Sequence, residues 1–266
     1  MEVVLNINNL KYNDLFDDIS IYIEKNTITT ISGKNNCGKT TLIRILNREI
    51  ELNESIIYDG KNINEYKIEE YYKLIRSVIP KEIHFKEYIV EDEILNELDN
   101  NDTDTNKRLD LIVKKLGIKK LLDKETNNLN TKEKILIQLT LSLINKPKIL
   151  LIDSIDNYFN NKEMKDILDL LKDFIKEYDL TVIMTTLNLN YSLYSNQLVI
   201  INNGKVILQG VPITILQKDN IINKAGLRIP FMIDLSVKLR DYDLIDKVEL
   251  DKDRMIEQLW KWYLII

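Results

Sequence analysis

A chain of 266 residues, 44% hydrophobic and 30% charged, can bury one large core, or one core with a small appendage. Its net charge of −5 argues against a nucleic-acid partner, because duplex affinity rests on a Lys/Arg excess that neutralises phosphates. A single cysteine, Cys37, excludes an internal disulfide and suits a reducing compartment. No apolar run approaches the roughly 18 residues that span a bilayer. The N-terminus, Met-Glu-Val-Val-Leu-Asn-Ile-Asn, lacks the basic start of a signal peptide. The expectation is a cytosolic chain with no direct bilayer insertion, held at a membrane only through a partner.

In chain order, Ile21–Ile23 and Thr27–Ser32 read as short strands around a Lys-Asn turn, and Lys39–Leu46 as a helix. Ser55–Tyr58 reads as a strand that ends in a turn at Asp59-Gly60. From about residue 85 to 146 the pattern becomes helical. Leu109, Ile112, Val113 and Leu116 recur at i, i+3, i+4 and i+7, behind a polar loop at Asn101–Asp104 that offers helix-start residues. Ile149–Asp153 is a continuous apolar run ending in an acid, as expected of a strand buried on both faces. A helix follows with Ile167, Leu168, Leu171, Phe174, Ile175 and Tyr178 on one stripe, then a strand at Thr181–Thr185. Leu198–Ile201 and Lys205–Leu208 form a hairpin turned at Asn203-Gly204. Residues 219–266 read as helical, with Ile256, Leu259, Trp260 and Tyr263 on a face. Strands alternating with helices predict an α/β fold with a mostly parallel sheet.

The strongest chemical signal is Gly33-Lys34-Asn35-Asn36-Cys37-Gly38-Lys39-Thr40, a complete P-loop between a predicted strand and a predicted helix. Its glycines let backbone N–H groups wrap phosphates, and the helix N-terminus adds favourable dipole potential. In this pattern Lys39 reaches the β- and γ-phosphates, Thr40 coordinates Mg2+ and Thr41 binds the α-phosphate. Asp153, at the end of the apolar strand, is the natural partner of Mg2+ through water. The expected ligands are ATP and Mg2+. Cys37 reads as a small space-filling residue of the loop, and His84, the only histidine, as a surface residue.

With these residues placed, the chain resembles an ABC-type nucleotide-binding domain, and within that class the ATPase subunits of energy-coupling factor (ECF) transporters and their cobalt-transport relatives. Asn9-Leu10-Lys11-Tyr12 is similar to the loop whose aromatic stacks on adenine, which makes Tyr12 the candidate. Val90–Ile94 matches the opening of the family's helical subdomain, and Pro147–Asp153 its Walker B approach. Ala225–Phe231, followed by Leu235 and Leu239, is similar to the C-terminal extension of this subfamily. The resemblance implies an N-terminal antiparallel β-subdomain, a helical subdomain at about 85–146 within a nucleotide-binding domain of 1–218, and a small helical extension at 219–266. It also implies a head-to-tail dimer with a second ABC ATPase subunit, docked on a membrane-spanning transporter component at the inner face of the cell membrane.

The departures bear on chemistry. Ser154 stands where the family has its catalytic glutamate, and Leu187 where it has the switch histidine that contacts the γ-phosphate. The signature Leu-Ser-Gly-Gly-Gln aligns with Leu129-Asn130-Thr131-Lys132-Glu133, the D-loop aspartate with Asn160, and the Q-loop glutamine with the neighbourhood of Ile79-Pro80. Asn130 and Glu133 keep a capping-box start for the helix that follows. The expectation is retained Mg-ATP binding with poor or absent hydrolysis. Two other readings stand beside it: an active ATPase whose catalytic groups come from Asp156 or Glu93, and a cytosolic nucleotide-gated regulatory or structural protein without a transporter.

Overall fold

A computed structural model of the chain describes residues 2–52, 56–99 and 102–263. Ser55, Asn101 and the ring of Tyr263 lie outside the described residues.

Ten strands form one sheet: β1 Val3–Tyr12, β2 Phe16–Glu24, β3 Ile28–Ser32, β4 Ile56–Tyr58, β5 Lys61–Asn62, β6 Ile75–Val78, β7 Ile149–Asp153, β8 Thr181–Thr186, β9 Gln197–Asn202 and β10 Lys205–Gly210. Their order is β5-β4-β1-β2-β10-β9-β3-β8-β7-β6. The run β9-β3-β8-β7-β6 is parallel throughout, whereas β1, β2, β4 and β5 pair antiparallel at the other edge. The β9–β10 hairpin joins the two parts, touching β2 at Lys205 and Asp18. The mixed sheet with its antiparallel N-terminal part matches the expected fold class.

The helices are α1 Lys39–Leu46, α2 Ile68–Leu74, α3 Val90–Asn96, α4 Thr105–Leu116, α5 Thr131–Ile144, α6 Asn161–Tyr178, α7 Pro212–Leu216, α8 Asp219–Lys224, α9 Phe231–Asp241 and α10 Lys252–Tyr263. Strand β7 shows why the parallel strands read as unbroken apolar runs. Ile149 and Leu151 join the core shared with α1 and the N-terminal strands, while Leu150 and Ile152 join the core beneath α4, α5 and α6. Alternate side chains go to opposite faces and both faces are covered, so no polar position is needed.

Besides β5, α2 and α7, which the sequence reading did not contain, three elements differ from it. Strand β1 was not expected because Asn8 and Asn9 interrupt its alternation; a register shift between Ile7 and Leu10, with Asn9 at φ 50°, absorbs the extra residue and returns Leu10 to the core. Strand β6 is only four residues and carries Arg76 and Ser77. Among the described side chains of α10, Met255 is buried and Leu259 half-buried one turn on, while Ile256 and Trp260 of the expected face are exposed.

Helices α3 to α5 form their own small core around Val90, Ile94, Ile118 and Ile137. Arg108 fastens it. This side chain is fully buried; its Nε donates to Ile144 O at 2.5 Å and its Nη2 to Asp102 Oδ2 at 2.8 Å, and the guanidinium lies 5.4 Å over the Tyr178 ring. Arg108→Ala loses these hydrogen bonds and a buried side chain, but Asp102 keeps Lys146 as a partner at 2.5 Å, so the loss should be about 1–3 kcal/mol. Arg108→Lys, which cannot reach the Ile144 carbonyl and Asp102 together, should recover little of it. Urea denaturation of the three proteins measures both losses.

Candidate functional site

The parallel strands bring the candidate residues together by register alone. Ser32 of β3 lies opposite Thr186 of β8, and Asp153 of β7 lies opposite Thr185. Their carboxyl ends therefore open onto one place, the usual position of a ligand site in such sheets. The chain leaves β3, runs through the P-loop and enters α1 at Gly38, whose φ of 98° is left-handed. A Cβ on Gly38 would come within 2.3 Å of the Phe16 ring, and one on Gly33 within 2.4 Å of Ile201 O. Both positions are closed to any side chain.

Lys39 is 8% exposed, and its Nζ donates to Gly33 O at 2.7 Å and to Lys34 O at 3.0 Å. Thr40 Oγ1 donates to Asp153 Oδ2 at 2.7 Å. The other oxygen of Asp153 accepts from Thr185 Oγ1 at 2.6 Å, so the carboxylate is held on both sides. Sequence reasoning missed Thr185; its position opposite Asp153 on the neighbouring strand is the signal that finds it.

These residues line a cleft of about 620 Å³. Asn35, Asn36, Gly38, Lys39, Thr40 and Thr41 line it from the P-loop and α1, Asp153, Ser154 and Leu187 from the ends of β7 and β8, and Ile79, Pro80 and Lys81 from beyond β6. Gly33, Lys34 and Cys37 of the loop are not among the lining side chains. Cys37 is buried against the N-terminal core, as a space-filling residue should be. Tyr12 is half-buried on that core and does not line the cleft; Leu15, whose N–H donates to Tyr12 O at 3.0 Å, does. His84 is exposed and away from the cleft.

A family model described as ABC transporter matches residues 16–157. The curated relatives are named energy-coupling factor transporter ATP-binding proteins. That of Mesomycoplasma hyopneumoniae (strain J) is 30% identical over 92% of this chain and 90% of its own length. That of Pediococcus pentosaceus is 25% identical over 100% of this chain and 99% of its own. The chain belongs to the ABC transporter family, with the energy-coupling factor ATP-binding proteins as its relatives. Among solved structures, cbiO1 of Clostridium perfringens, described as part of the ABC transporter complex cbiONQ, superposes with a TM-score of 0.69 at 26% identity, covering 88% of this chain and 99% of that one. An ATP-bound bacterial Atm1-family exporter superposes with a TM-score of 0.72 at 18% identity over 84% of this chain and 41% of its own, a likeness of fold alone.

Ser154 takes a left-handed backbone, φ 49° and ψ 42°, with its N–H donating to Thr185 Oγ1 at 3.0 Å. Its hydroxyl lies 3.1 Å from Thr185 Oγ1 and 3.5 Å from Asp153 Oδ1. Leu187 is 37% exposed in the cleft. The signature segment starts α5 by a capping box between Asn130 and Glu133. Lys132 lies at 2.5 Å from Glu163 Oε1 and over the Phe159 ring at 5.7 Å, bound within its own chain.

The two alternative acids stand elsewhere. Glu93 is buried and accepts from the amides of Lys86 and Glu87 at 2.8 and 2.7 Å, which fixes the turn before α3. Asp156 Oδ2 accepts from Thr186 Oγ1 at 2.7 Å, and its Oδ1 is buried with no hydrogen-bond partner. Neither lines the cleft. Burial pushes the Asp156 carboxyl up, against the pull of the Thr186 hydroxyl and the Lys39 charge. A carboxyl raised in the folded state is ionised there at a cost, so the protein loses stability as pH rises from the unfolded value through the folded one. Asp156→Asn removes that cost and should raise the denaturation midpoint more at about pH 7 than at about pH 4. An equal change at both pH values would contradict it.

Proposed function

We propose that this chain is the nucleotide-binding subunit of an ECF-type ABC importer, which binds Mg-ATP and hydrolyses it poorly or not at all. One observation supports the reading: Lys39, Thr40 and Asp153 meet in one cleft, while Ser154 and Leu187 line it where a carboxylate and an imidazole would be needed to activate water. Lys39 supplies the charge for the β- and γ-phosphates. The loop amides from Gly33 to Thr41, at the start of α1, supply further donors. The Thr40 hydroxyl and the Asp153 carboxylate, already 2.7 Å apart, are the hard oxygen donors that suit Mg2+, Asp153 through water. When bound, the ion neutralises phosphate charge. Adenine would stack on Tyr12, carried on the turn whose other end, Leu15, lines the cleft.

Ser154 cannot serve as a general base at neutral pH, and its hydroxyl is engaged with Thr185 and Asp153. Leu187 has neither donor nor charge for a γ-phosphate. The chain also lends little to a partner's site, because Lys132 and Thr131 replace the glycines that would bring backbone close to a phosphate. A head-to-tail pair with a second ABC ATPase subunit, seated on a membrane-spanning component, is the assembly that would give such a subunit its use. No helix among the described residues is long and apolar enough to cross a membrane, which fits a peripheral position on the inner face through partners.

Lys39→Ala should weaken Mg-ATP binding at least about 100-fold, since a charge-assisted contact contributes roughly 1.5–3 kcal/mol and more than one is lost. Calorimetry decides, and unchanged affinity would remove the basis of the assignment. The wild-type chain alone should release phosphate far below the about 1 s⁻¹ at the low end of enzymes, because losing a general base costs roughly 10²–10⁴-fold. Ser154→Glu with Leu187→His should recover turnover only beside a partner with an intact signature, because such groups act as a unit. Steady-state phosphate release by wild type, the double variant, and the double variant with its co-purifying ATPase tests this; wild-type turnover at about 1 s⁻¹ or faster refutes it.

A further inference from the structure

A second cleft, of about 780 Å³, continues the first. Asn35 and Leu187 line both, so the two share the wall where a terminal phosphate would lie. The new wall is Gly226–Ile229 of the C-terminal segment, facing Lys34 of the P-loop and Asn188–Asn190 of the switch turn. Its charged lining residues are Lys34 and Arg228, and no carboxylate stands among them. On a chain of net charge −5, such a one-signed recess favours an anion.

The fold fixes the place of Arg228. Helix α8 ends in a Schellman turn: Gly226, at φ 73°, donates to Asn223 O at 3.0 Å, and Leu227 N donates to Ile222 O at 3.2 Å. Leu227 is then buried in the same apolar cluster as Leu189 of the switch turn. The segment is thus anchored to the loop that carries Leu187, and the exposed Arg228 follows the anchor directly. Lys34 reaches Asn203 Oδ1 at 3.4 Å. Arg228 has no hydrogen bond or ion pair among the described residues, so its guanidinium is free to take a ligand. Its planar fork of donors matches phosphate oxygens.

We propose that Arg228 reads the terminal phosphate of the bound nucleotide from the C-terminal segment, making in cis the contact that Leu187 cannot. Triphosphate and diphosphate would then be told apart by a residue outside the P-loop, and γ-phosphate binding would tie the C-terminal helices to the switch turn. The assignment rests on the first cleft being the nucleotide site.

The test is calorimetric titration of wild type, Arg228→Ala and Arg228→Lys with Mg-ADP and with a Mg-bound, non-hydrolysable ATP analogue. Arg228→Ala should lose about tenfold or more in affinity for the triphosphate and keep its diphosphate affinity within about twofold, with Arg228→Lys between, as a point charge in place of a fork. Retained diphosphate binding shows in the same experiment that the variants are folded. Unchanged triphosphate affinity, as expected if the guanidinium serves an acidic segment of a partner, or an equal loss for both nucleotides, overturns the assignment and leaves the site intact. If wild type binds neither nucleotide, the assignment of the cleft itself falls, and this one with it.

Discussion

A buried ammonium organises the site. Lys39 is nearly removed from water, and a charge so placed is costly unless hydrogen bonds surround it. The carbonyls of Gly33 and Lys34 do this, and they can do it only if the loop curls over the side chain. The curl in turn demands a left-handed residue at Gly38 and bare backbone at Gly33, where the loop passes within contact of Phe16 and of β9. The lysine thus holds the shape of the loop.

The parts of this structure that sequence made legible are those in which one physical demand dominates. An unbroken Ile-Leu-Leu-Ile-Asp run could only be a strand covered on both faces, and β7 is that strand. Gly33, Gly38 and Lys39 are set by local sterics and charge, so their spacing alone located the loop. Strand β1 was hidden because Asn8 and Asn9 break its period at a bulge, a feature visible only when β2 lies beside it. The second hold on Asp153 was hidden for a similar reason. Thr185 is 32 residues away, and only the β7–β8 register brings its hydroxyl to 2.6 Å. The recess beside Arg228 brings together the P-loop, the turn after β8 and residues 226–229; each is legible alone, but only the fold brings Lys34 and Arg228 to one recess. In α10 the periodicity pointed to Ile256, Leu259 and Trp260, and packing buried Met255 and left Ile256 and Trp260 exposed.

The start of α5 is held entirely by its own chain. Asn130 and Asn160 both open helices with capping boxes, closed by Glu133 and Glu163. Lys132 links the first helix start to the second through Glu163, and Lys124 reaches Glu133 at 2.7 Å. Carboxylates near a helix N-terminus are favoured by its dipole, and the lysines partner them in turn. The segment Asn130–Glu133 thus satisfies its own polar groups within the chain.

Eight of the eleven described non-glycine residues with positive φ are Asn or Asp, which explains how a chain with seven glycines makes so many tight turns. That choice has a counterpart in the unfolded chain. A glycine loses more conformational freedom on folding than any other residue, and replacing one where the native backbone tolerates it gains roughly 0.4–1 kcal/mol through the denatured state. Asparagine carries some strain at the same φ, so the two effects oppose each other and the net change per turn is small. What changes is the ensemble: an unfolded chain with few glycines samples fewer shapes, and because asparagine visits positive φ less readily than glycine, the turns at Asn13, Asn26 and Asn203 rely on the strands they join to hold them.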